Sequence, residues 1–337
     1  MKAMLLKRVG PMKPDADPLS YEDVPDPDPS AGEVLIRVRA CGVCHTELDE
    51  IEGRLTPPRL PVIPGHEVVG KIVSTGAGVP TDRKGERVGV GWIYSSTGKS
   101  DENLSPQFQG TGCDANGGYA ELMVVPAAYA HPIPGSLGDA ETAPLLCAGA
   151  VGYRSLRMAR LQDGDALGLT GFGGSAHLVL QVARNQFPNS PIYVFARSPE
   201  SRDFAIRLGA TWAGDTNDIP PGPLRSIIDT TPAWTPVVAA LRNLQPGGRL
   251  VINAIRKESD DQQALLTLSY HEHLWREREI QSVANVTAAD IRDFLAIAGD
   301  IGIHPTIETY RLDEANRALR ELKFGSVRGA KVLQVGP

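Results

Sequence analysis

A chain of 337 residues, 42% hydrophobic and 22% charged, has the composition of a globular protein and length enough for two ordinary domains. Lys+Arg 34 against Asp+Glu 40 leaves a net charge of −6, which argues against nucleic acid or an anionic membrane as the main partner. No apolar core follows the opening MKAMLLKRVGPMKP and no later run is long enough to span a bilayer, so the expected compartment is the cytoplasm.

From the N-terminus the chain reads as short strands punctuated by Gly and Pro. PDPDPSAGE (25–33) is a turn-rich surface connector, and VLIRVRA (34–40) alternates apolar and polar residues as a half-buried strand does. CGVCHTEL (41–48) and PGHEVVG (64–70) follow, the second running into EVVGKIV (67–73). ERVGVGW (86–92) is another β-branched run, and APLLCAG (143–149) closes this half. Near residue 150 the texture changes. DALGLTG (165–171), PIYVFAR (191–197), RSIIDTT (225–231) and RLVINAI (249–255) are apolar strands. They alternate with helical HLVLQVARNQF, ESRDFAIRLG and VVAALRNL. That alternation predicts an α/β unit with a parallel sheet covered on both faces. After REIQSVAN come amphipathic ADIRDFLAIAGDIG and LDEANRALRELKFG and a last strand, AKVLQV. This tail either extends the second domain or returns to the first.

Two constellations carry chemistry. The four cysteines, Cys41, Cys44, Cys113 and Cys147, are too few for a disulfide framework in so long a chain, and their company with histidine points to metal. Cys44, His66 and Cys147 offer two thiolates and one imidazole. That set leaves a tetrahedral zinc one open position, the mark of a catalytic rather than a structural ion. The second constellation is GLTGFGGSAH (168–177), a glycine-rich turn between a strand and a helix. Gly171, Gly173 and Ala176 match the dinucleotide fingerprint, with Phe172, Gly174 and Ser175 completing the turn against a pyrophosphate. The next strand ends in FARSPESR. Ala196 stands where an acid would bind the ribose 2′-hydroxyl of NAD, and Arg197, Ser198 and Arg202 follow. Two guanidinium groups and a hydroxyl suit a 2′-phosphate, so NADP(H) is favoured over NAD(H).

Taken together, GVCHTEL, PGHEVVG, GGYAEL (117–122), APLLCAG, GFGGSAH, PGGRLV (246–251) and VRGAKVLQV (327–335) resemble the zinc-dependent alcohol dehydrogenases of the medium-chain dehydrogenase/reductase superfamily. Two cysteines and one histidine are the catalytic-zinc ligands general zinc chemistry already associates with alcohol dehydrogenase. The resemblance covers nearly the whole chain. It implies a GroES-like β-rich catalytic domain over 1–148, a Rossmann cofactor domain over 149–287 and a return to the catalytic domain over 288–337.

Residue by residue, the resemblance makes Cys44, His66 and Cys147 the zinc ligands and Glu67 a carboxylate able to approach the metal. Thr46 is the hydroxyl that takes the substrate proton. His45, Thr230 and Arg328 contact the cofactor, and Leu55 and Trp92 line an apolar substrate pocket. The implied reaction passes a hydride between NADP(H) and a small or medium alcohol, ketone or aldehyde, in a homo-oligomer, dimer or tetramer. Rival readings are a zinc-free quinone or enone reductase of the same fold and a non-catalytic NADPH-binding redox sensor. The retained ligand positions and Thr46 weigh against both.

The chain departs from the family at two places. Relatives carry a four-cysteine structural-zinc lobe where this chain has IYSSTGKSDENLSPQFQGTG (93–112), with Ser105 replacing the last ligand. One catalytic zinc per chain and no structural zinc are therefore expected. Asp49 stands where many relatives place the histidine that ends the proton relay to solvent. A carboxylate there accepts the proton less readily at neutral pH, or water bypasses it.

Overall fold

The computed structural model describes residues 1–325 and 329–336. Contacts divide the chain into two units, residues 1–150 with 286–337, and residues 151–285.

The first unit opens with an antiparallel pair, β1 (Lys2–Leu6) and β2 (Leu19–Asp23). β3 (Glu33–Val43) is its organising strand. Val34, Ile36, Val38 and Ala40 are buried while Arg37 between them is exposed, the period-two pattern of a strand with one face in the core. α1 (His45–Ile51) follows directly, and β4 (Val68–Thr75) pairs antiparallel with β3. β5 (Arg87–Val90) extends the sheet, whereas β6 (Ile93–Ser95) and β7 (Gln109–Gly110) pair with each other and delimit the region that lacks cysteine. β8 (Leu122–Pro126) pairs with β3, β9 (His131–Pro132) with β5, and the short α2 (Asp139–Thr142) leads toward Cys147.

After α3 (Ala148–Ala159), the second unit alternates as the sequence predicts. β10 (Leu167–Thr170) leads to α4 (Ala176–Gln186), then β11 (Ile192–Phe195) to α5 (Pro199–Leu208) and β12 (Trp212–Gly214). β13 (Leu224–Asp229), α6 (Thr235–Leu241), β14 (Leu244–Ile252) and β15 (Glu279–Ser282) complete it. The six strands are all parallel, in the order β12-β11-β10-β13-β14-β15. Every residue of β10 and β11 is buried, as strands covered on both faces must be. Phe195, Leu224, Ile227, Val237, Leu241 and Leu250 form the core between α6 and the sheet. The strand order reverses between β10 and β13. This is a Rossmann sheet with its ligand-binding switch point at the ends of those two strands.

The remaining elements belong to the first unit: α7 (Ala288–Ile301), β16 (Ile307–Arg311), α8 (Ala315–Phe324) and β17 (Ala330–Gln334). Of the two routes open to the tail, the chain takes the return: β17 pairs antiparallel with β3, Leu333 opposite Cys41 and Lys331 opposite Val43. Among the described residues no helix is long and apolar enough to cross a membrane.

Two buried polar groups bear on stability. Glu102, 2% exposed, holds the 93–112 region. Its Oε2 accepts Gly98 N–H at 3.0 Å and the Tyr129 hydroxyl at 2.9 Å, and its Oε1 accepts the N–H of Ala288 in the first turn of α7 at 2.8 Å. The other is His131, whose pKa burial pushes down to about 4, with the charges of Arg292 and Arg83 adding to the effect. Folded, it stays neutral where the unfolded chain, titrating near 6.5, already binds a proton. Stability from this residue is complete above the unfolded value and is lost as pH falls toward the folded one. Urea unfolding should show His131→Gln losing about 2 kcal/mol less than the parent between about pH 7 and about pH 5. Equal acid sensitivity in the two proteins would remove His131 from the account.

Candidate metal and dinucleotide sites

β3 and β4 run antiparallel with Cys41 opposite Val68. Cys44 therefore leaves the end of one strand beside His66 and Glu67, which lead into the other. Cys44 is also the N-cap of α1, and its own N–H donates to Glu47 Oε2 at 2.7 Å. Cys147 ends a short 3-10 turn, Ala143–Leu146. One ligand atom from each of Cys44, His66, Glu67 and Cys147 lies within 4.8 Å of every other. Sequence positions spread over a hundred residues thus meet at one point.

The glycines of the two phrases explain their wording. A Cβ on Gly42 would lie 1.6 Å from Glu67 Oε2, so only glycine lets that carboxylate reach the cluster. Gly65 has φ +96°, and a Cβ there would meet the Tyr119 ring at 2.3 Å and Cys41 Sγ at 2.9 Å. Cys41 is fully buried packing and Cys113 is buried too, and neither joins the four-donor group.

Electrostatically the cluster wants a cation. The Cys147 thiol, hydrogen-bonded to Cys44, and His66 beside it hold the Cys44 thiol well below its ordinary range, against burial. That same hydrogen bond, with burial, pushes Cys147 up, and burial with the Cys44 charge pushes Glu67 up. Burial, the largest single influence, works against charging His66, but the Glu47 carboxylate and Cys44 together outweigh it and raise the imidazole. Two soft sulfurs, one imidazole and one carboxylate fit a zinc ion.

Glu47, which the sequence reading passes over, is the orienting group. Its Oε1 lies 2.6 Å from His66 Nδ1, and both side chains are fully buried. A proton on Nδ1 would face that carboxylate and leave Nε2 available to a metal, the usual support of a metal-bound imidazole. The signal was present in the sequence: an acid three residues after a helix-capping cysteine. Glu50, one turn further, is also fully buried. Neither of its oxygens has a hydrogen-bond partner among the described residues, and burial pushes its pKa well up. Thr46 is 4% exposed with Oγ1 3.7 Å from Cys44 Sγ, and His45 is exposed. The Trp92 ring is 6.1 Å from the His66 ring and 5.8 Å from Phe108. Leu55 is half-buried, its N–H bonded to the Asp49 carbonyl at 3.0 Å. The Asp49 carboxylate accepts Arg54 Nε at 2.6 Å.

In the second unit Gly171 ends β10 with φ +75°, its N–H bonded to the Phe195 carbonyl at 2.8 Å. Gly173 and Gly174 are exposed, and a Cβ on either would meet nothing within 4 Å. The packing of the fold does not demand glycine at either position. Phe172 stacks edge-on with Phe204 at 5.6 Å, and Ser175 Oγ accepts from Asn253 Nδ2 at 2.9 Å. His177 Nδ1 lies 2.8 Å from the Gly173 carbonyl, a second support of the turn that the sequence reading missed. Thr230, at the end of β13, donates its hydroxyl to the Thr170 carbonyl at 3.0 Å. At the end of β11, Ser198 caps α5 by accepting Ser201 N–H. Arg202 Nη1 donates to the carbonyls of Ala196 and Arg197 at 2.7 and 2.8 Å, and Arg197 is exposed. Arg328 lies outside the described residues.

Residues 30–135 match the family described as the alcohol dehydrogenase GroES-like domain. A Mycobacterium tuberculosis protein named "Probable alcohol dehydrogenase AdhA" is 44% identical over 347 residues, covering 99% of this chain and 97% of that one. The chain belongs to the alcohol dehydrogenase family. An alcohol dehydrogenase of Geobacillus stearothermophilus is 30% identical over 94% of this chain and 96% of its own. A cinnamyl alcohol dehydrogenase structure from Sorghum bicolor aligns with TM-score 0.81 at 27% identity, over 99% of this chain and 97% of that one. The GroES-like and Rossmann architecture and the membership in an oxidoreductase family are therefore both expectations met.

Proposed function

We propose that this chain interconverts small to medium apolar alcohols with their ketones or aldehydes, using NADP(H) and one zinc per chain. The observation carrying this reading is the meeting of Cys44, His66, Glu67 and Cys147 within 4.8 Å, beside the Thr46 hydroxyl. Zinc held there supplies Lewis acidity toward an alcohol or carbonyl oxygen, and the nicotinamide takes or gives the hydride.

The chain's own residues do the rest. The Cys44 and Cys147 thiolates balance the charge of a divalent ion. Glu47 fixes the His66 ring through Nδ1. Oxidation removes a hydride from carbon and a proton from oxygen. Thr46 Oγ1 accepts that proton's hydrogen bond and passes its own proton outward. The Trp92 ring and Leu55 form an apolar wall that favours hydrocarbon substituents and excludes water. The cinnamyl alcohol dehydrogenase relative supports including aryl-substituted substrates. For the cofactor, the bare backbone of Gly173 and Gly174 at the start of α4 suits a pyrophosphate. Arg197 and Arg202, following an Ala196 that cannot accept a ribose hydroxyl, suit a 2′-phosphate. β15 is a sheet edge with all four residues exposed, and Tyr270 and Trp275 are exposed nearby in sequence, which supports a homo-oligomer.

One preparation tests the whole reading. Elemental analysis should find one zinc per chain, and light scattering a mass above that of the monomer. kcat/KM with NADP+ over a panel of alcohols should exceed that with NAD+ by about 10-fold or more. Two zinc atoms per chain, a monomer or an NAD+ preference would each overturn the corresponding part. Enone reduction without zinc would overturn the reaction itself.

A further inference from the structure

We infer that Asp49 is a positioning residue for the loop that carries Leu55, and not a station on the path of the substrate's proton. The inference rests on the alcohol dehydrogenase reading of the site. α1 ends at Ile51, and the chain then turns back on the helix: Gly53 N–H bonds the Glu50 carbonyl at 3.2 Å and Leu55 N–H the Asp49 carbonyl at 3.0 Å. The side chains repeat this closure. Asp49 Oδ1 accepts Arg54 Nε at 2.6 Å, and Arg54 Nη1 donates to Glu52 Oε2 at 2.6 Å. Glu52 Oε1 in turn accepts the Met12 N–H at 3.0 Å and Lys323 Nζ from α8. Four side chains of alternating charge thus run Asp49–Arg54–Glu52–Lys323, from α1 through the loop to α8.

Burial decides what the pair can do. The Asp49 side chain is 5% exposed and that of Glu52 is 9%, while the Arg54 side chain, at 35%, covers them from solvent. A sheltered carboxylate that already accepts Arg54 Nε is committed to that bond, and giving it up would leave the guanidinium held at its Glu52 end only. An imidazole at the same position would be able to accept and release a proton near neutrality. Here the negative charge is committed to geometry. It locks Arg54 over the turn, and with it the register that presents Leu55 to the substrate.

Amide hydrogen exchange and steady-state kinetics on Asp49→Asn, Arg54→Gln and the double variant test this. Exchange at Gly53 and Leu55 should quicken by about 10-fold in both single variants. KM for a bulky alcohol such as cyclohexanol should rise about 5-fold in each, with kcat within about twofold and the pH profile of kcat unmoved. The double variant should be no worse than either single one, since one interaction is being removed. The inference is overturned if Asp49→Asn lowers kcat about 10-fold for every alcohol, is rescued by added imidazole, and Arg54→Gln leaves KM untouched. It is equally overturned if the two amides stay protected in both variants. Should Asp49→Asn fail to fold, the outward-facing Arg54→Gln decides alone. A parent protein without zinc or alcohol turnover would sink the functional reading instead, and the exchange result would still judge the latch.

Discussion

Cys147→Ser is expected to reduce bound zinc from about one per chain to near none and alcohol oxidation by on the order of 10³-fold or more. Serine is nearly isosteric with cysteine, so the backbone after the Ala143–Leu146 turn has no reason to move. What changes is donor chemistry. An alcohol oxygen at neutral pH is neither soft nor anionic, and the cluster drops to one thiolate, one imidazole and one carboxylate. Glu47→Gln is the graded companion. It leaves all four donors in place but removes the anion 2.6 Å from His66 Nδ1, and loss of such an orienting partner typically costs 10–100-fold in affinity or activity. Metal analysis and turnover, measured on the same samples, should fall together in the order parent, Glu47→Gln, Cys147→Ser. Cys113→Ser, outside the four-donor group, should retain its metal. Full zinc retention by Cys147→Ser would show that the donors converge for another reason.

Glu102→Ala should destabilise the protein by about 3 kcal/mol, with no recovery on adding zinc. The substitution removes, from a side chain only 2% exposed, the acceptor shared by the Tyr129 hydroxyl and the N–H groups of Gly98 and Ala288. The Ala288 N–H also belongs to the open first turn of α7, where a carboxylate complements the helix dipole. One carboxylate joins the region to Tyr129 and to α7. Urea denaturation of parent and variant reads the loss. A variant as stable as the parent would mean that β6, β7 and the Trp92–Phe108 contact suffice to hold the 93–112 region.

The fold was legible wherever one local signal dominated. β-branched runs bounded by turn residues became β4 and β5, and apolar strands alternating with helices became the parallel sheet. Tails such as AKVLQV were ambiguous because an apolar strand does not say which sheet it joins; pairing with β3 is a long-range choice. The converging side chains of Cys44, His66, Glu67 and Cys147 were legible because each sits in a distinctive phrase whose glycines answer steric need, as Gly42 and Gly65 illustrate. Glu47 was not singled out, because an acid in the first turn of a helix is common and its partner, His66, lies far away in sequence. Asp49 was visible as a departure, but its pairing with Arg54 depends on how the chain turns after Ile51. Periodicity does not report that turn.

The placement of β17 has a consequence for biosynthesis. The strand that delivers Cys44 is bordered at its end by β4 (Val68–Thr75) on one side and by β17 (Ala330–Gln334) on the other, partners far apart in the chain. A ribosome releases the metal-ligand segments early, yet the lane beside Cys41 and Val43 stays open until residues 330–334 emerge. During that interval the nascent half presents an uncovered strand edge, a surface that invites wrong partners. The Rossmann unit has all its strands between these two points and can fold first. The GroES-like unit is then sealed only at the end of translation.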